Sequence, residues 1–268
     1  MLLDAFKLNG KVAIVTGAGK GIGKSVAEGL AQLGAHVVCV ARSQEDIDAT
    51  AELVKGHGVD ALAIACDVTK EEQLQNLVTR TVEKFGAIDI LVNNAGAPGK
   101  GFGSIEKVDK TRFEHTLAIN LTSAYTLVHL CLPYLRKSSS AAIVNVSSAL
   151  SWMVDKNFSA YAAAKAGMNQ MTRVMSYELA PHIRVNAVAP GAIETPSTSF
   201  ITSDPQRKSD AERWIPLQRL GKPEDIALGV LYLASGASAF VSGKVLEIDG
   251  GMQALPGSAI QEVIARNG

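Results

Sequence analysis

Short runs of apolar and β-branched residues recur along the chain and alternate with longer segments of helical spacing. The apolar runs are nearly continuous, which is typical of strands that are covered on both faces. Strands are therefore predicted at Val12–Thr16, Val37–Ala41, Ala61–Ala65, Ile88–Asn93, Ala142–Ser147, Ile183–Val188 and Val245–Ile248.

Helices are predicted between these strands, at Gly21–Leu33, Glu71–Phe85, Arg112–Leu135 and Ala160–Leu179. Gly34 and Gly86 are placed to end the first two, and residues 67–72 have the composition of an N-cap followed by acidic residues. The alternation of strand and helix predicts right-handed crossovers and an α/β doubly wound parallel sheet. A single domain over residues 1–268 is expected.

Two segments of irregular composition, residues 97–104 and 190–216, each follow a predicted strand. Loops at the carboxyl ends of parallel strands are where such sheets bind ligands. The proline-containing segment 190–216 is therefore predicted as a substrate loop, with a merely mobile surface loop as the alternative. Residues 252–268 form a C-terminal tail that is expected to border the pocket or a subunit interface.

Composition narrows the class of protein. The chain has 268 residues, of which 47% are hydrophobic and 19% charged, so a folded chain is expected. Its 26 basic residues balance 26 acidic ones, which argues against nucleic-acid binding through a broad basic face. The cysteines and histidines lack the spacing of metal sites, and no metal is predicted. Without an apolar signal core or a long apolar run, a cytoplasmic protein away from membranes is expected.

A glycine-rich loop, with Gly17, Gly19, Gly21 and Gly23, lies between the first predicted strand and helix. Such a loop lets the backbone approach a pyrophosphate, which rests on the positive end of the helix. The alternative is an ordinary tight turn. The position of the loop at the first strand–helix junction favours dinucleotide binding.

The end of the second predicted strand bears on which dinucleotide is bound. NAD-binding chains usually carry an acid about 20 residues after the loop, which binds the ribose 2′-hydroxyl. Here that position is Ala41, followed by Arg42 and Ser43. Arg42 and Lys20 would instead bind a 2′-phosphate, so NADP(H) is predicted, with two solvated surface cations as the alternative.

Tyr161 and Lys165 are four residues apart, on one face of a predicted helix. A tyrosine hydroxyl has a pKa of about 10, and a nearby ammonium favours its phenolate form, so the pair can exchange a proton with an alcohol or carbonyl. A chance pair is the alternative. Ser148 follows a strand, and its hydroxyl is placed to polarise a substrate carbonyl.

Together these motifs make the chain resemble the short-chain dehydrogenase/reductase family over roughly residues 8–251. The resemblance is carried by Thr16–Gly23, Asp67-Val68, Asn93-Asn94-Ala95-Gly96, Asn120, Ser148, Tyr161 to Lys165, and Pro190-Gly191 with Thr195. It implies a Rossmann-type, seven-stranded parallel sheet in the order 3-2-1-4-5-6-7 with helices on both faces. It also implies a homotetramer or dimer formed through the helices near 112–135 and 160–179.

The resemblance further assigns roles to residues. Tyr161 would be the general acid or base, Lys165 would lower its pKa, Ser148 would hold the substrate oxygen, and Asn120 would anchor a water in a proton relay. Ser147 is the rival to Ser148, which the spacing to Tyr161 favours. The implied cofactor-binding residues are Gly17, Gly19, Lys20, Gly21, Ile22, Gly23, Arg42, Ser43, Asp67, Val68, Asn94, Ala95, Gly96, Tyr161, Lys165, Pro190, Gly191, Ile193 and Thr195.

The leading hypothesis is hydride transfer between NADP(H) and a ketone or secondary alcohol. The chain is similar both to bacterial hydroxysteroid dehydrogenases and to 3-oxoacyl-carrier-protein reductases. A carrier-protein partner would need a basic docking surface, and no concentrated basic run is present, which favours a free apolar substrate such as a steroid. Trp152, Met153, Phe158 and Trp214 would line its pocket, or else pack in the core. A non-catalytic dinucleotide sensor is the alternative from another class.

Overall fold

A computed structural model describes residues 1–252 of the chain, except for the side chain of Phe200. Its strands are β1 (Val12–Thr16), β2 (His36–Ala41), β3 (Ala61–Ala65), β4 (Ile90–Asn93), β5 (Ala141–Val146), β6 (Ile183–Pro190) and β7 (Val245–Ile248). They form one seven-stranded sheet in the order β3-β2-β1-β4-β5-β6-β7. All neighbouring pairs are parallel. The predicted fold class and strand order are confirmed.

The helices of the described residues connect these strands. They are α1 (Gly21–Gln32), α2 (Gln44–Lys55), α3 (Glu71–Phe85), α4 (Lys110–Leu117), α5 (Ser123–Leu135), α6 (Ser159–Glu178), α7 (Ser199–Thr202), α8 (Pro205–Arg213) and α9 (Pro223–Ala234). The predicted substrate loop 190–216 thus contains the end of β6 and two short helices. Of the predicted tail 252–268, all but Met252 lies outside the described residues. None of the described helices combines the length and the apolar character needed to cross a membrane.

Two hydrophobic cores cover the two faces of the sheet. Neighbouring residues of β1 point to opposite cores: Ala13 and Val15 pack with α1, α2 and α9, whereas Ile14 packs with α3 and α5. Because every β1 residue is buried, its sequence is an uninterrupted apolar run rather than an alternating one. This burial on both faces is why the continuous runs predicted the strands.

The start of α3 differs from the pattern expected for residues 67–72. The N-cap residue is Lys70, whose side chain makes no capping hydrogen bond. The Asp67 carboxylate instead accepts hydrogen bonds from the Thr69 backbone N–H at 3.0 Å and from its hydroxyl at 2.8 Å. Asp67 therefore shapes the turn that precedes the helix, while the acidic first turn and the left-handed Gly86 at the C-cap are confirmed.

The helix predicted over Arg112–Leu135 is interrupted. Residues Ala118–Thr122 form a π-helical segment between α4 and α5. Within it, Asn120 is fully buried, and its Nδ2 donates hydrogen bonds to the Thr116 and Ala97 carbonyls, both at 2.9 Å. The side chain thereby joins the helix to the segment that follows β4, which carries one of the irregular loops. Wider turns of this kind are frequent at functional sites.

Candidate active site

The glycine loop is tied to the end of β4. The Thr16 hydroxyl accepts hydrogen bonds from the backbone N–H groups of Asn94, at 2.9 Å, and Ala95, at 3.0 Å. Asn94 in return donates from Nδ2 to the Thr16 carbonyl at 2.8 Å. A Cβ at Gly17, whose φ is +69°, would lie only 2.7 Å from that Nδ2 atom. This role of Thr16 was not predicted, because the contact joins the ends of two strands that are far apart in the sequence.

The loop is built for close approach by a phosphate. The residue before α1, Lys20, makes no side-chain capping bond, and the first turn of α1 has no acid. A Cβ at Gly23 would lie 2.2 Å from the Gly17 carbonyl oxygen, so only glycine allows the helix to start so near the loop. The N-terminus of α1 therefore combines a glycine cradle with a positive helix end, and it fits the pyrophosphate of a dinucleotide.

The residues predicted to hold the rest of the cofactor lie around this loop. Arg42 directly follows β2, and Ser43 caps α2 by accepting a hydrogen bond from the Asp46 N–H at 3.4 Å. Asp67 and Val68 follow β3. A Cβ at Gly21 would lie 3.2 Å from the Thr195 Cγ2, which brings the loop after β6 against the glycine loop. The remaining predicted members are spread over several elements. Gly19 and Lys20 lie in the glycine loop, Ile22 in the first turn of α1, Ala95 and Gly96 after β4, Pro190 at the end of β6, and Gly191 and Ile193 after it.

Lys165, Asn120 and Gly96 meet at the base of the site. Lys165 is 2% exposed, and its Nζ donates a hydrogen bond of 2.8 Å to the Val146 carbonyl. A Cβ at Gly96 would lie 2.6 Å from Asn120 Oδ1 and 3.2 Å from Lys165 Nζ. Asn120 Oδ1 is buried and has no hydrogen-bond partner among the described residues. An unpaired amide oxygen and a buried ammonium thus flank the same small space.

Tyr161 stands next to this cluster, with the Lys165 Nζ 5.6 Å from the centre of its ring. Burial raises the pKa of Tyr161 to about 12, and a hydrogen bond with Ser148 offsets part of this rise. Burial lowers the pKa of Lys165 to about 7. The pKa of Tyr161 is raised because desolvation of the phenolate outweighs the hydrogen bond with Ser148, and the lowering by Lys165 that the resemblance implies stays a prediction. At neutral pH Tyr161 is therefore protonated and able to act as an acid.

Ser147 and Ser148 have different surroundings. Ser147 is 3% exposed, and its hydroxyl donates a hydrogen bond to the Lys165 carbonyl at 3.3 Å. Ser148 is less buried; its hydroxyl accepts from the Leu150 N–H at 3.2 Å and lies within hydrogen-bonding reach of Tyr161. The hydroxyl beside the tyrosine is thus that of Ser148, which supports its choice over Ser147.

A buried polar chain beneath the site was not predicted. Asn93 donates from Nδ2 to Asn145 Oδ1, and Asn145 donates from Nδ2 to the Thr172 hydroxyl, both at 2.9 Å. The two asparagines are register partners on β4 and β5, and Thr172 lies on α6. A polar residue inside an apolar strand was the available signal, but its partner depends on strand order and register. These hydrogen bonds connect β5, which leads to Ser148, with α6, which carries Tyr161 and Lys165.

A cavity of about 280 Å³ is lined in part by Phe158, whose ring packs near that of Tyr161. It is lined by Gly103, Ile105, Met153, Val154, Asp155, Asn157, Phe158, Ser159 and Ala162. Phe158 packs against Phe102 with ring centres 5.0 Å apart and against Tyr161 at 6.4 Å. The Gly103 N–H donates to the Asn157 carbonyl at 3.0 Å, so the loops after β4 and β5 that line the cavity are joined to each other. Of the four residues predicted for an apolar pocket, Met153 and Phe158 line it, and Trp152 and Trp214 do not.

Comparison with known proteins agrees with this geometry. A family model described as enoyl-(acyl carrier protein) reductase matches residues 17–253. The chain is 38% identical over 247 residues to the 3-oxoacyl-[acyl-carrier-protein] reductase FabG of Thermotoga maritima, covering 92% of this chain and 99% of that protein. A 7α-hydroxysteroid dehydrogenase complexed with NADH and 7-oxo glycochenodeoxycholic acid is 35% identical, with a TM-score of 0.89 over 94% of this chain and 98% of that one. The Pseudomonas aeruginosa RhlG/NADP active-site complex is also 35% identical, with a TM-score of 0.87 over 93% and 99%.

Proposed function

The chain belongs to the short-chain dehydrogenase/reductase family of oxidoreductases, and we propose that it transfers a hydride between NADP(H) and a ketone or secondary alcohol. The observation that carries the proposal is the meeting of Tyr161, Ser148 and Lys165 beside a glycine loop that fits a dinucleotide. A sensor protein would need the loop but not this group of side chains. The proposal therefore favours catalysis over sensing.

Each side chain has a part in the proposed reaction. When bound, the nicotinamide supplies the hydride in reduction and accepts it in oxidation. In reduction Tyr161 donates its hydroxyl proton to the carbonyl oxygen as the hydride adds to the carbon, and Ser148 donates a hydrogen bond to that oxygen. Lys165 in its charged form stabilises the resulting phenolate. Asn120 Oδ1, buried without a partner among the described residues, is placed to accept a hydrogen bond in the path that reprotonates Tyr161.

The proposed role of the Ser148 hydroxyl is tested by comparing Ser148→Ala with Ser147→Ala. We expect Ser148→Ala to lower kcat for carbonyl reduction by about 10²-fold, because it removes a donor from the oxygen on which charge develops. Ser147→Ala removes a hydrogen bond to a backbone carbonyl and should have a much smaller effect. Steady-state kinetics of both variants measure the difference. The reverse order of effects would transfer the assignment to Ser147.

The cofactor preference is proposed from charge. Arg42 and Lys20 are cations at the end of β2 and in the glycine loop, and Ala41 replaces the acid that NAD-binding chains usually carry. The similar structures include one complex with NADP and one with NADH, so family membership alone supports only a nicotinamide dinucleotide.

Arg42→Asp should weaken NADPH binding by roughly ten- to a hundredfold, since it replaces a charge-assisted hydrogen-bond donor by a repelling carboxylate. NADH binding should change little, so the NADPH/NADH ratio should fall. Titration of both cofactors measures this. Arg80→Asp makes the same charge change on the exposed face of α3 and serves as control. An unaltered ratio in Arg42→Asp would refute the assignment.

The substrate class is proposed from the cavity. Asp155 is its only charged lining residue among those described, and aromatic and aliphatic side chains form much of its wall. We therefore propose a free, apolar, cyclic carbonyl compound such as a steroid as substrate, because an anionic carrier protein would be better served by basic groups. The 38% identity to FabG keeps a 3-oxoacyl thioester as the second candidate.

One panel of substrates decides between these candidates. NADPH consumption is followed with steroid ketones, small cyclic ketones, sugars and 3-oxoacyl thioesters. Turnover of cyclic ketones is the expected result, and turnover of acyl thioesters alone would replace it by the second candidate. Tight NADPH binding without turnover of any compound would support the sensor hypothesis.

We also propose that the chain forms a homotetramer or a dimer. Phe113, Tyr125, Val174 and Tyr177 are large apolar side chains that α4, α5 and α6 expose, with Tyr177 89% exposed. Apolar groups on neighbouring helices commonly mark subunit contacts. Light scattering measures the mass in solution. Tyr125→Glu and Tyr177→Glu should then shift that mass towards the monomer.

A further inference from the structure

An ion pair lies at the end of the cofactor site where Lys20 and Arg42 are proposed to bind a 2′-phosphate. Lys20 Nζ in the glycine loop is 3.0 Å from Asp46 Oδ2 in the first turn of α2. The lysine side chain is 62% exposed and the aspartate 28%, so the carboxylate is the less exposed partner. The hydrogen bond with Lys20 also lowers the pKa of Asp46. One of the two cations proposed to bind a 2′-phosphate thus already has a counter-ion.

The position of Asp46 is related to the acid missing from β2. A Cβ placed on Gly19 would lie 2.9 Å from the Cβ of Asp46 and 3.6 Å from the Cβ of Ala41. The glycine loop, the end of β2 and Asp46 therefore meet at one point. The carboxylate that NAD-binding chains carry at the end of this strand is absent at Ala41, but α2 brings a carboxylate next to the same point.

We propose that Asp46 is a specificity-determining residue, which pairs with Lys20 to moderate binding of a 2′-phosphate and supports binding of a ribose 2′-hydroxyl. This inference rests on the proposed function, since it concerns how the same dinucleotide site tells two cofactors apart. It predicts that the protein uses both cofactors, and that it prefers NADP(H) over NAD(H) less strongly than it would without Asp46.

The size of the effect follows from the exposure of the pair. Exposed ion pairs contribute little, so a 2′-phosphate can displace Asp46 from Lys20 at a modest cost. Removing the carboxylate should therefore tighten binding of a 2′-phosphate by only about fivefold. The same change should leave binding of a 2′-hydroxyl unaltered or weaker, because the hydroxyl loses an acceptor.

Binding of two cofactor fragments, 2′,5′-ADP and 5′-AMP, isolates this end of the site from hydride transfer. Calorimetry measures the Kd of each with the intact protein and with Asp46→Asn. Asp48→Asn is the matched control, because it removes the same charge two residues along α2 from a carboxylate that accepts from Gln44 and not from Lys20. Thermal melting establishes that both variants remain folded.

The expected result is tighter binding of 2′,5′-ADP by Asp46→Asn, without tighter binding of 5′-AMP and without either change in Asp48→Asn. In a Lys20→Met background most of this gain should vanish, because the pair no longer exists. An equal gain for both fragments, an equal gain in Asp48→Asn, or a full gain in the Lys20→Met background would each overturn the proposal. If the unaltered protein binds neither NADP(H) nor NAD(H), it is the proposed function that fails instead.

Discussion

Replacing Tyr161 by phenylalanine should lower kcat for carbonyl reduction by about 10³-fold or more, at the upper end of what general acid catalysis supplies. The variant removes the hydroxyl that hydrogen-bonds with Ser148, and it keeps the ring that packs against Phe158. The cavity and the glycine loop should therefore persist. NADPH should bind within a few-fold of its original affinity, since the loss concerns proton transfer alone.

The control for Tyr161→Phe is a tyrosine on the same helix that lies outside the site. Tyr177 lies on α6 as well and is 89% exposed, so Tyr177→Phe removes a hydroxyl without touching the cluster. Steady-state kinetics and cofactor titration are carried out on both variants. A Tyr161→Phe protein that retains more than a tenth of its kcat would show that another group donates the proton.

Lys165→Met should abolish turnover and at the same time change how stability depends on pH. The pKa of Lys165 falls from 10.5 to about 7 on folding, because the ammonium is desolvated. Between these values the unfolded chain binds more protons than the folded one, so the free energy of unfolding rises with pH. The rise is at most about 5 kcal/mol, the equivalent of the pKa difference. Below pH 7 the full cost of burying the charge is present.

The methionine variant should lack this rise. We expect it to be stabilised relative to the original protein most at about pH 6 and least at about pH 9, measured by urea unfolding at both values. Loss of the hydrogen bond to Val146 lowers the stability of the variant by an amount that does not depend on pH, so the pH trend of the stability difference is unchanged. Lys244→Met, at an exposed lysine, should show no such trend. Parallel pH profiles for the original protein and Lys165→Met would contradict the low pKa.

The elements could be predicted from the sequence where a local pattern reflects burial. Every residue of β1 is buried, and the sequence shows this as a continuous apolar run. Gly86 ends α3 in a left-handed conformation that glycine adopts without strain, so the helix end was also visible. The prediction at residues 67–72 differs in detail from the structure because Asp67 bonds within its own turn, three residues before the N-cap Lys70.

Only those parts of the candidate site that belong to local sequence motifs could be predicted. Tyr161 and Lys165 were singled out by their spacing and assigned roles by the family resemblance, but the direction in which the pKa of Tyr161 shifts depends on burial, which neither shows. The Lys20–Asp46 ion pair joins the glycine loop to α2, so neither segment alone predicts it. It matters for cofactor choice because it lies near Ala41, where NAD-binding chains usually carry an acid. The cavity is lined by two loops that meet only in the folded chain. Such contacts depend on strand order and loop conformation, which no local pattern records.

The π-helical segment Ala118–Thr122 makes this stretch sensitive to chain length as well as to residue identity. A π turn holds one residue more than the α-helical path requires, so deleting one residue would leave a regular helix. The deletion would also remove the wide turn in which Asn120 lies, and from which its Nδ2 donates to the Thr116 and Ala97 carbonyls. Over evolution we expect substitutions to accumulate on the exposed side of this helix, whereas insertions and deletions should be confined to the loops around it.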